Sequence, residues 1–538
     1  MQHRKGFRTP PKPHFTDQHQ NKFQDALTFH QQGELEVARR LYNEILRHEP
    51  GHFDCLHLSG LAAYQVKQFS EAERFFIAAL GVNPNFAPLH SNYGNLLTEL
   101  NRHEEALASF VRAIAIQPDD AELHNNCGVA LHDLKRFEEA LIRYDKAISL
   151  RQNYAEPFNN RGVTLHEMNR YQEAVANYQQ SIAINPQFAQ AYLNLGDTLK
   201  DVKLFDEALA CYERSISIAP DYADAHFAKA RLLLLQGDFH NGWREYEWRK
   251  LKKDPVAERS FPAPLWSGEE NISGTTLLVH HEQGMGDVIQ FCRYIRNLSQ
   301  LGATVLFEPI KSLNKLTSTL DASFQIVDAC EPALKFDYHI PLLSLPLALE
   351  QKLMVIPNAV PYLSAEEDRV ARWSQRIGLH GYKVGICWQG GVTKIDAGRS
   401  FPLSHFEGLS KIPGVRLISL HKGDGEAQLG ALPEGMIVET CGADFDVGPD
   451  AFLDTAAVMK CCDLVISSDT AVAHLAGALG VRTWVALKYV PDWRWFVERD
   501  DSPWYPSMRL FRQRSNGDWA DVFDRIADAL RETRELRS

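Results

Sequence analysis

A period of 34 residues in the first half of the chain constrains its fold more than any other feature of the sequence. A glycine, an alanine twelve residues later and an aromatic residue four positions further on recur in register. The five glycines are Gly60, Gly94, Gly128, Gly162 and Gly196. Small residues allow two helices to approach closely, and the aromatic side chain fills the space between them. The period therefore predicts a solenoid of helix–turn–helix units, in which each unit buries its apolar face on its neighbours.

The repeat continues beyond these five copies in a weaker form. An earlier unit has Ala26 at the glycine position, and a later unit has Ala230 and Gly242 at the glycine and alanine positions. Divergent end units are typical of solenoids, because terminal repeats cover the ends of the core. The pattern resembles the tetratricopeptide repeat, in seven copies over residues 19–252. That resemblance implies a concave surface for a polypeptide partner, and the repeats also offer a surface for a homo-oligomer. The alternative is a purely architectural spacer.

One asparagine per repeat forms a further column in the same register. These residues stand two positions before the repeat glycine and are Asn92, Asn126, Asn160 and Asn194. An amide both donates and accepts hydrogen bonds, so it can pair with the backbone of an extended peptide. The column resembles the asparagine ladder of the O-GlcNAc transferase superhelix, which implies that these side chains bind an acceptor polypeptide. The alternative is a set of solvated side chains at a position where asparagine is common.

The second half of the chain alternates β-rich runs with helical stretches, which predicts two doubly wound α/β halves built on parallel sheets. Strands are expected at Thr275–His280, Thr304–Phe307, Phe324–Val327, Tyr338–Ile340, Val384–Trp388, Val415–Ser419, Ile437–Glu439, Leu464–Ser467 and Thr483–Leu487. Ligands are expected at the carboxyl ends of these strands. The predicted layout is a flexible tail at 1–18, the repeats at 19–252, a linker at 253–270, α/β domains at 271–365 and 380–515, and a closing helix within 516–538.

Two polar motifs follow predicted strands and begin helices. In the first, a glycine turn ends in Asp287, which is expected at a helix start facing the cleft between the halves. In the second, a buried strand leads into a helix of small residues through Asp469, Thr470, Ala471 and His474. Free N–H groups at such a helix start suit a diphosphate, and His474 lies one turn after Thr470 on the same face. The alternatives are a structural helix cap for Asp287 and a buried core histidine for His474.

A third polar stretch follows the first strand of the second α/β half. Backbone amides and basic side chains there suit phosphate oxygens, although each basic residue alone is equally typical of a solvated surface. The candidates are Gln389, Gly390, Lys394, Arg399 and Lys422. Aromatic residues downstream suit either stacking on a base or sugar or plain packing. They are Trp493, Trp495, Trp504 and Tyr505.

Residues 273–530 resemble a family 9 glycosyltransferase, the group that contains the lipopolysaccharide heptosyltransferases. The matching stretches are Gly286-Asp287 and residues 469–480, in which Ala471 replaces the usual glycine of the family. The resemblance implies a GT-B fold of two Rossmann-like domains, an inverting transfer, and no metal or other cofactor. It implies that Asp287 is the catalytic base and that the second polar motif contacts the phosphates of a nucleotide sugar. With its repeats, the chain is similar to bacterial repeat-containing glycosyltransferases that modify proteins, flagellin among them.

The sequence thus predicts an α-solenoid followed by a GT-B enzyme that transfers a sugar from a nucleotide-sugar donor to a protein acceptor. The first α/β domain would present the acceptor, and the second would bind the donor. Two alternatives remain: an enzyme for a saccharide or lipopolysaccharide-type acceptor with the repeats as a scaffold, and a non-catalytic adaptor. The nearest acidic pair, Asp500-Asp501, has no strand-end setting that would favour a metal site.

Charge, cysteine content and hydropathy argue against a nucleic-acid-binding, a disulfide-rich or zinc-binding, and a membrane protein. The 57 Lys and Arg against 69 Asp and Glu give a net charge of −12, which disfavours nucleic-acid binding driven by overall charge. Nine cysteines without metal-ligand spacing disfavour a disulfide framework or a structural zinc site. The absence of an apolar stretch of about 18 residues predicts no membrane span, and the polar start of the chain predicts a cytoplasmic protein.

Overall fold

The computed structural model describes residues 17–252, 259–328, 334–350, 356–391 and 398–535. The chain forms two compact units, which divide between Thr198 and Leu199. Most of the predicted tail, part of the predicted linker and the candidate residue Lys394 lie outside the described residues. In the part of the chain that the structure describes, the first unit is helical and the second contains helices and two parallel sheets.

The first unit consists of paired α-helices, which confirms the predicted solenoid of helix–turn–helix units. Its helices are α1 (Asp17–Gln31), α2 (Leu35–His48), α3 (Phe53–Gln65), α4 (Phe69–Val82), α5 (Ala87–Glu99), α6 (His103–Ile116), α7 (Ala121–Asp133), α8 (Phe137–Leu150), α9 (Ala155–Glu167) and α10 (Tyr171–Ile184). Helix α11 (Ala189–Asp201) contains the boundary between the units.

Close helix packing explains why glycine recurs in every full repeat. A Cβ atom added to Gly128 would lie 2.5 Å from the ring of Tyr144, which is nearer than van der Waals contact allows. The same approach recurs, at 2.5–2.6 Å, in the pairs Gly60–Phe76, Gly94–Phe110 and Gly162–Tyr178. These four rings are almost completely buried, so the ring cannot move aside into solvent.

A left-handed backbone residue ends the first helix of each pair. Five such residues lie at φ between 58° and 64° and are Lys67, Asn101, Lys135, Asn169 and Lys203. Glycine takes this place in the end units, at Gly33 and Gly237. This column also has the 34-residue period, but the sequence did not suggest it, because lysine is not typical of the left-handed region.

The second unit begins with the last helices of the repeat region, which are α12 (Phe205–Ile218), α13 (Ala223–Gln236) and α14 (Phe239–Tyr246). Gly242 keeps the close helix approach of the repeat, since an added Cβ atom would lie 2.7 Å from the Leu234 side chain. Trp243 is buried in α14 and meets the ring of Trp493 edge-on, with ring centroids 5.2 Å apart. Within this unit, the last helices therefore pack against the α/β region.

The first sheet has four parallel strands in the order β3–β2–β1–β4. The strands are β1 (Thr276–His280), β2 (Thr304–Glu308), β3 (Gln325–Ile326) and β4 (Tyr338–Pro341). The helices between and after them are α15 (Met285–Phe291), α16 (Ile295–Gln300), α17 (Asn314–Thr317) and α18 (Leu345–Ala348). Because β1 is a central strand, the turn that joins its carboxyl end to α15 lies in the middle of the sheet edge.

The second sheet has six parallel strands in the order β10–β9–β8–β5–β6–β7. The strands are β5 (Tyr382–Cys387), β6 (Val415–Ser419), β7 (Val438–Glu439), β8 (Leu464–Ser468), β9 (Thr483–Leu487) and β10 (Met508–Arg512). The helices are α19 (Glu367–Ile377), α20 (Glu407–Ser410), α21 (Leu453–Cys461), α22 (Ala471–Ala478) and α23 (Trp519–Glu535). All nine predicted strands occur within a few residues of their expected bounds, whereas β10 was not predicted.

The core of the second sheet lies between its strands and α23. Ile386 of β5 and Trp484 of β9 pack in one cluster with Val522, Phe523 and Leu530 of the helix, and these side chains are buried. The chain order reverses at β5, because β6 lies on one side of it and β8 on the other. Such a reversal leaves a crevice at the carboxyl ends of the strands.

Candidate functional site

A cavity of about 570 Å³ opens at the carboxyl ends of β5, β6 and β8. It lies at the reversal of strand order, where doubly wound sheets bind their ligands. Its volume is within the range of small-molecule sites. Of the residues predicted to bind the donor, Gln389, Gly390, Lys422, Thr470 and Ala471 line this cavity.

The turn after β5 forms one wall of the cavity. The Gly390 N–H donates to Ser400 Oγ at 3.2 Å, and Gln428 Nε2 donates to Gln389 Oε1 at 3.3 Å. A Cβ atom at Gly425, where φ is 92°, would lie 2.3 Å from Gln389 Oε1. Only glycine fits at position 425, because a side chain there would collide with the Gln389 amide. This close approach fixes the amide at the cavity wall.

Lys422 places a cation at the wall formed after β6. Its Nζ donates to the carbonyl oxygen of Asp446 at 2.6 Å and to that of Phe445. The Asp446 carboxylate accepts from the backbone N–H of Asp454 at 2.7 Å and from Thr455 Oγ1, which anchors this loop to the start of α21. Neutral carbonyls thus hold the ammonium group at the cavity, which the acidic residues Asp424, Asp446 and Asp450 also line.

The third wall is the start of α22. Thr470 precedes the helix in an extended conformation, and its hydroxyl lies 3.3 Å from Ser467 Oγ. The first N–H groups of a helix have no acceptor within it, so this end of the cavity carries partial positive charge. Ala471 is the first residue of the regular helix, a conformation that alanine adopts without strain. Alanine in place of the glycine that is usual in family 9 glycosyltransferases is therefore compatible with this geometry.

Asp469 and Arg399 are not among the residues that line the cavity, although Asp469 directly precedes Thr470. The Asp469 carboxylate is buried, and its Oδ2 atom has no hydrogen-bond partner in the described ranges. Arg399 Nη1 lies 3.9 Å from that oxygen. Burial raises the pKa of Asp469, and Asp492 raises it further, whereas Arg399 lowers it. Because two anions repel, Asp469 can approach a donor phosphate only in its protonated form or through Arg399.

His474 packs in the interior instead of lining the cavity. Its Nδ1 lies 3.0 Å from the Tyr505 hydroxyl oxygen, and its ring stacks on Trp495 with centroids 5.2 Å apart. Burial lowers the pKa of His474 well below its ordinary value, so the ring is neutral. A Cβ atom at Gly286 would lie 3.2 Å from its Cδ2. His474 therefore does not share the cavity that Thr470 lines, and contact of both residues with one ligand stays a prediction.

Asp287 lies in the first turn of α15, with its side chain 20% exposed. Its Oδ2 accepts the Gly284 N–H at 3.1 Å, so the carboxylate does cap the helix. Its Oδ1 accepts from Arg494 Nη2 at 2.5 Å. Burial raises the pKa of Asp287, and the Arg494 guanidinium opposes that effect. The structure therefore places an ionisable carboxylate of the first α/β half against a cation of the second.

Glu282 and His281, which stand just before the glycine turn, are the next candidates for a base, and both have other partners. Glu282 has a side chain that is only 6% exposed, and its Oε1 accepts from Arg249 Nη2 at 2.6 Å and from the Leu343 N–H at 3.2 Å. His281 Nδ1 lies 3.2 Å from the carbonyl oxygen of Glu308. Because Arg249 is also buried, Glu282 serves as the partner of an interior cation.

The aromatic motif after β9 is packed in the interior. The four rings of Trp493, Trp495, Trp504 and Tyr505 are each at most 2% exposed, which favours packing over stacking on a ligand. Sequence reasoning missed Arg494 of this motif, which contacts Asp287. Its Nε donates to Gln290 Oε1 at 2.7 Å and its Nη1 to Asp492 Oδ1 at 2.8 Å. An arginine inside a strongly aromatic run was the available signal, since such a cation is rarely buried without a partner.

In the first unit, the predicted asparagine column forms a chain of amides that are hydrogen-bonded between repeats. Asn160 Nδ2 donates to Asn125 Oδ1 at 3.0 Å, and Asn194 Nδ2 donates to Asn159 Oδ1 at 2.9 Å. Asn125 and Asn159 in turn donate to Asn126 and Asn160, at 3.3 and 3.2 Å. The predicted column is half-buried, so its amides retain capacity for further hydrogen bonds.

Asn92 departs from this arrangement, because its Nδ2 lies 2.9 Å from Nε2 of His57. Burial lowers the pKa of His57, so a neutral ring accepts the amide N–H. The partner column of Asn125 and Asn159 was not recognised from the sequence. Both residues precede a column asparagine directly, so the paired Asn-Asn dipeptides were the available signal.

The described residues show neither a metal cluster nor a disulfide. No group of three or more His, Cys, Asp or Glu side chains in these ranges is arranged to hold a metal ion. Asp501 of the acidic pair is bonded to Arg499. The eight cysteines within the same ranges are free thiols. Among the helices described, none is both long enough and apolar enough to cross a membrane. Metal independence stays a prediction.

Family comparison identifies the repeats. Models of the TPR repeat match residues 94–135, 130–169 and 164–202, and a model of the tetratricopeptide repeat matches residues 189–222. The chain therefore carries tetratricopeptide repeats, as its 34-residue period predicts.

Individual proteins resemble parts of the chain. Protein FlbA of Caulobacter vibrioides is 28% identical over 332 residues, which are 57% of this chain and 54% of that protein. The chain thus spans about half the length of this relative. A tetratricopeptide repeat protein from Parabacteroides merdae has a TM-score of 0.40 at 17% identity, over 43% of this chain and 92% of its own. YrrB, described as a TPR protein with an unusual peptide-binding site, has a TM-score of 0.29 at 22% identity, over 35% of this chain and 97% of its own.

Proposed function

We propose that the chain is a metal-independent, inverting glycosyltransferase of GT-B type, which transfers a sugar from a nucleotide-sugar donor to a polypeptide bound by the repeats. The observation that carries this proposal is the cavity at the reversal of strand order, which five of the predicted donor residues line. The resemblance of the strand-end motifs to family 9 glycosyltransferases supports the reaction class.

The donor would bind with its diphosphate against the start of α22. The free N–H groups of that helix and the ammonium of Lys422 supply positive charge at the cavity wall. Charge develops on the diphosphate as the sugar leaves, and fixed positive groups stabilise that charge without a divalent ion. Lys394 and Arg399 are the further candidates for this role.

Asp287 would act as the catalytic base. It accepts the proton of the acceptor hydroxyl while the oxygen attacks the anomeric carbon, and the bond between that carbon and the diphosphate breaks. The electron pair of the broken bond leaves with the diphosphate, and attack from the opposite face inverts the configuration. A base works best when its pKa lies near the working pH, and burial raises the pKa of Asp287 in that direction.

The amide chain of the first unit favours a polypeptide acceptor over a saccharide. Amides spaced once per repeat match the regular donors and acceptors of an extended backbone, which is itself a series of amides. Asp287 disfavours the adaptor alternative, because its carboxylate is partly exposed and lies against the Arg494 cation.

Mass spectrometry of proteins from cells that carry or lack this chain tests the proposal. Cells with the wild-type chain should contain polypeptides heavier by a glycosyl residue, and cells with Asp287→Asn or without the chain should lack these forms. Asp501→Asn is the matched control, because that carboxylate is exposed and its ion pair among the described residues is with Arg499. Glycopeptides that persist unchanged without the chain would contradict the proposal.

A further inference from the structure

The guanidinium of Arg494 joins the two α/β halves around the Asp287 carboxylate. Each of its three nitrogens donates to a different side chain: Nε to Gln290, Nη1 to Asp492 and Nη2 to Asp287. Gln290 and Asp287 belong to α15 of the first half, whereas Arg494 and Asp492 follow β9 of the second. The arginine is 8% exposed, so these contacts form away from bulk water.

Aromatic rings hold the arginine in place. Its Cζ lies 4.2 Å from the ring centroid of Trp493 and 5.9 Å from that of Phe291. Attraction between a cation and an aromatic face is strongest when water is excluded. A planar guanidinium that is fixed in this way directs its N–H groups, which the flexible ammonium of a lysine would not do.

We propose that Arg494 is a positioning residue of the transferase site, which keeps the Asp287 carboxylate ionised and oriented across the two halves. This inference rests on the proposed function of Asp287. The Gly284 N–H binds one carboxylate oxygen and Arg494 binds the other, so the carboxylate plane is fixed. Each oxygen retains a lone pair for the proton of the acceptor.

The direction of the effect follows from the charges around Asp287. Burial raises the pKa of Asp287 and so favours the neutral acid, which cannot accept a proton; Arg494 is the largest influence in the opposite direction. The other charged or titratable groups that act on this pair are Asp492, Arg399, Tyr246, Asp469 and His474. Of these, Asp492 raises the pKa of Asp287 and Arg399 lowers it. Loss of the Arg494 charge should therefore shift the ionisation of Asp287 to higher pH.

The test is the pH dependence of transfer by Arg494→Gln and Arg494→Lys in the full chain. An adjacent arginine typically lowers the pKa of an aspartate by about 1–3. In Arg494→Gln the acidic limb of the kcat–pH profile should therefore move to higher pH by about that amount. Arg494→Lys keeps the charge but loses the planar fork, so it should move the limb less. An equal loss of kcat at every pH in Arg494→Gln would overturn the proposal.

Arg293 provides the matched control. It is also buried and also joins α/β segments, but its hydrogen bonds within the described residues go to neutral oxygens, those of Gln290, Pro357, Trp504 and Tyr362. Arg293→Gln should lower the melting temperature and leave the acidic limb where it is. A limb that moves equally in both variants would mean that any loss of a buried arginine disturbs the site, and it would also overturn the proposal.

A second readout does not depend on activity. In chains labelled with carboxyl-¹³C aspartate, the Asp287 resonance is identified by its absence in Asp287→Asn, and its titration midpoint should rise in Arg494→Gln. A raised midpoint in a chain without any transferase activity would refute the proposed function but support the effect of Arg494 on Asp287. An unchanged midpoint in an active enzyme would refute the role of Arg494 and leave the proposed function intact.

Discussion

Asp287 caps a helix and is also the proposed base, and one substitution separates these roles. Asp287→Asn retains an oxygen for the Gly284 N–H, and asparagine caps helices about as well as aspartate. It cannot accept a proton, however, and a general base contributes about 10²–10⁴-fold to the rate. We expect turnover to fall at least about 10²-fold. Nucleotide affinity, measured by calorimetry, should barely change, because the proposed donor cavity lies at the strand ends of the other α/β half.

Near-normal turnover of Asp287→Asn would show that the carboxylate is only a helix cap. In that case Glu282 and His281 would be tested next, although Glu282 is bound to Arg249.

His280 gives the fold a dependence on pH that a single variant reveals. Burial lowers the pKa of His280 to about 3, whereas an unfolded histidine titrates near 6.5. Between these values the unfolded chain binds a proton that the folded chain does not, so stability rises with pH across this window and falls on acidification. We expect His280→Leu to show a smaller decrease in melting temperature than the wild type between pH 7 and pH 5. An equal decrease in both proteins would contradict this account.

At the scale of helices and strands, the glycine–aromatic pair determines how closely the two helices of a repeat approach. Gly128→Ala would place a methyl group against the buried ring of Tyr144, and overpacking of this kind costs about 1–3 kcal/mol. We expect a lower melting temperature, measured by circular dichroism at a helical wavelength. The combination with Tyr144→Leu should cost less than the sum of the two single variants, because the smaller side chain makes room for the methyl group.

Gly81 is the control for this prediction. It lies in α4 with nothing within 4 Å of an added Cβ atom. Gly81→Ala should therefore stabilise the helix by up to about 1 kcal/mol, the difference in helix propensity between the two residues. A similar effect of alanine at Gly81 and at Gly128 would show that packing does not explain the period.

The row of amides along the repeats leads to a prediction about acceptor binding. Replacing Asn92, Asn126, Asn160 and Asn194 together by alanine removes the column that the structure leaves half-buried. Each hydrogen bond contributes about 1 kcal/mol, so the affinity for a polypeptide acceptor should fall by orders of magnitude, while hydrolysis of the donor persists. Fluorescence anisotropy with a labelled acceptor measures the first quantity, and release of nucleotide measures the second.

Asn85→Ala is a control for that variant, since Asn85 is exposed and bonded to Arg112 outside the column. Unchanged acceptor affinity in the quadruple variant would refute the ladder. The interpretation would also fail if Asn85→Ala weakened binding to the same extent.

The helices and strands were largely predictable because their signals are local. The period defined the helix pairs, and alternation of strand and helix patterns located nine of ten strands. The left-handed column at Lys67 and its equivalents was missed, because the repeat geometry imposes a conformation that lysine does not favour by itself. Strand β10 was missed because its alternation is short: buried Met508, exposed Arg509 and buried Leu510 are followed by Phe511, which is also buried.

At the scale of the whole molecule, the site could be predicted only in part. Gln389, Lys422 and Thr470 line one cavity because the carboxyl ends of parallel strands meet at one edge of a sheet, a rule that sequence reasoning can apply. The contact of Arg494 with Asp287 joins residues that are 207 positions apart, and it depends on how the two sheets pack. No local pattern specifies such a contact.

Metal independence is a property of the complete site and is tested by removing divalent ions. The proposed leaving diphosphate is stabilised by helix N–H groups and Lys422, so activity should survive an excess of chelator. Loss of activity on chelation, with rescue by magnesium or manganese, would mean that the donor site has been assigned to the wrong groups.

The most direct test of the central claim is transfer by the purified chain. A polypeptide acceptor is incubated with the chain, a panel of nucleotide sugars and a chelator, and its intact mass is measured. The account predicts a mass increase of one glycosyl residue with one of these donors, which is absent with Asp287→Asn and present with Asp501→Asn. An acceptor mass that never changes, under conditions in which the wild-type chain binds both the nucleotide sugar and the polypeptide, would contradict the claim that this protein is a glycosyltransferase.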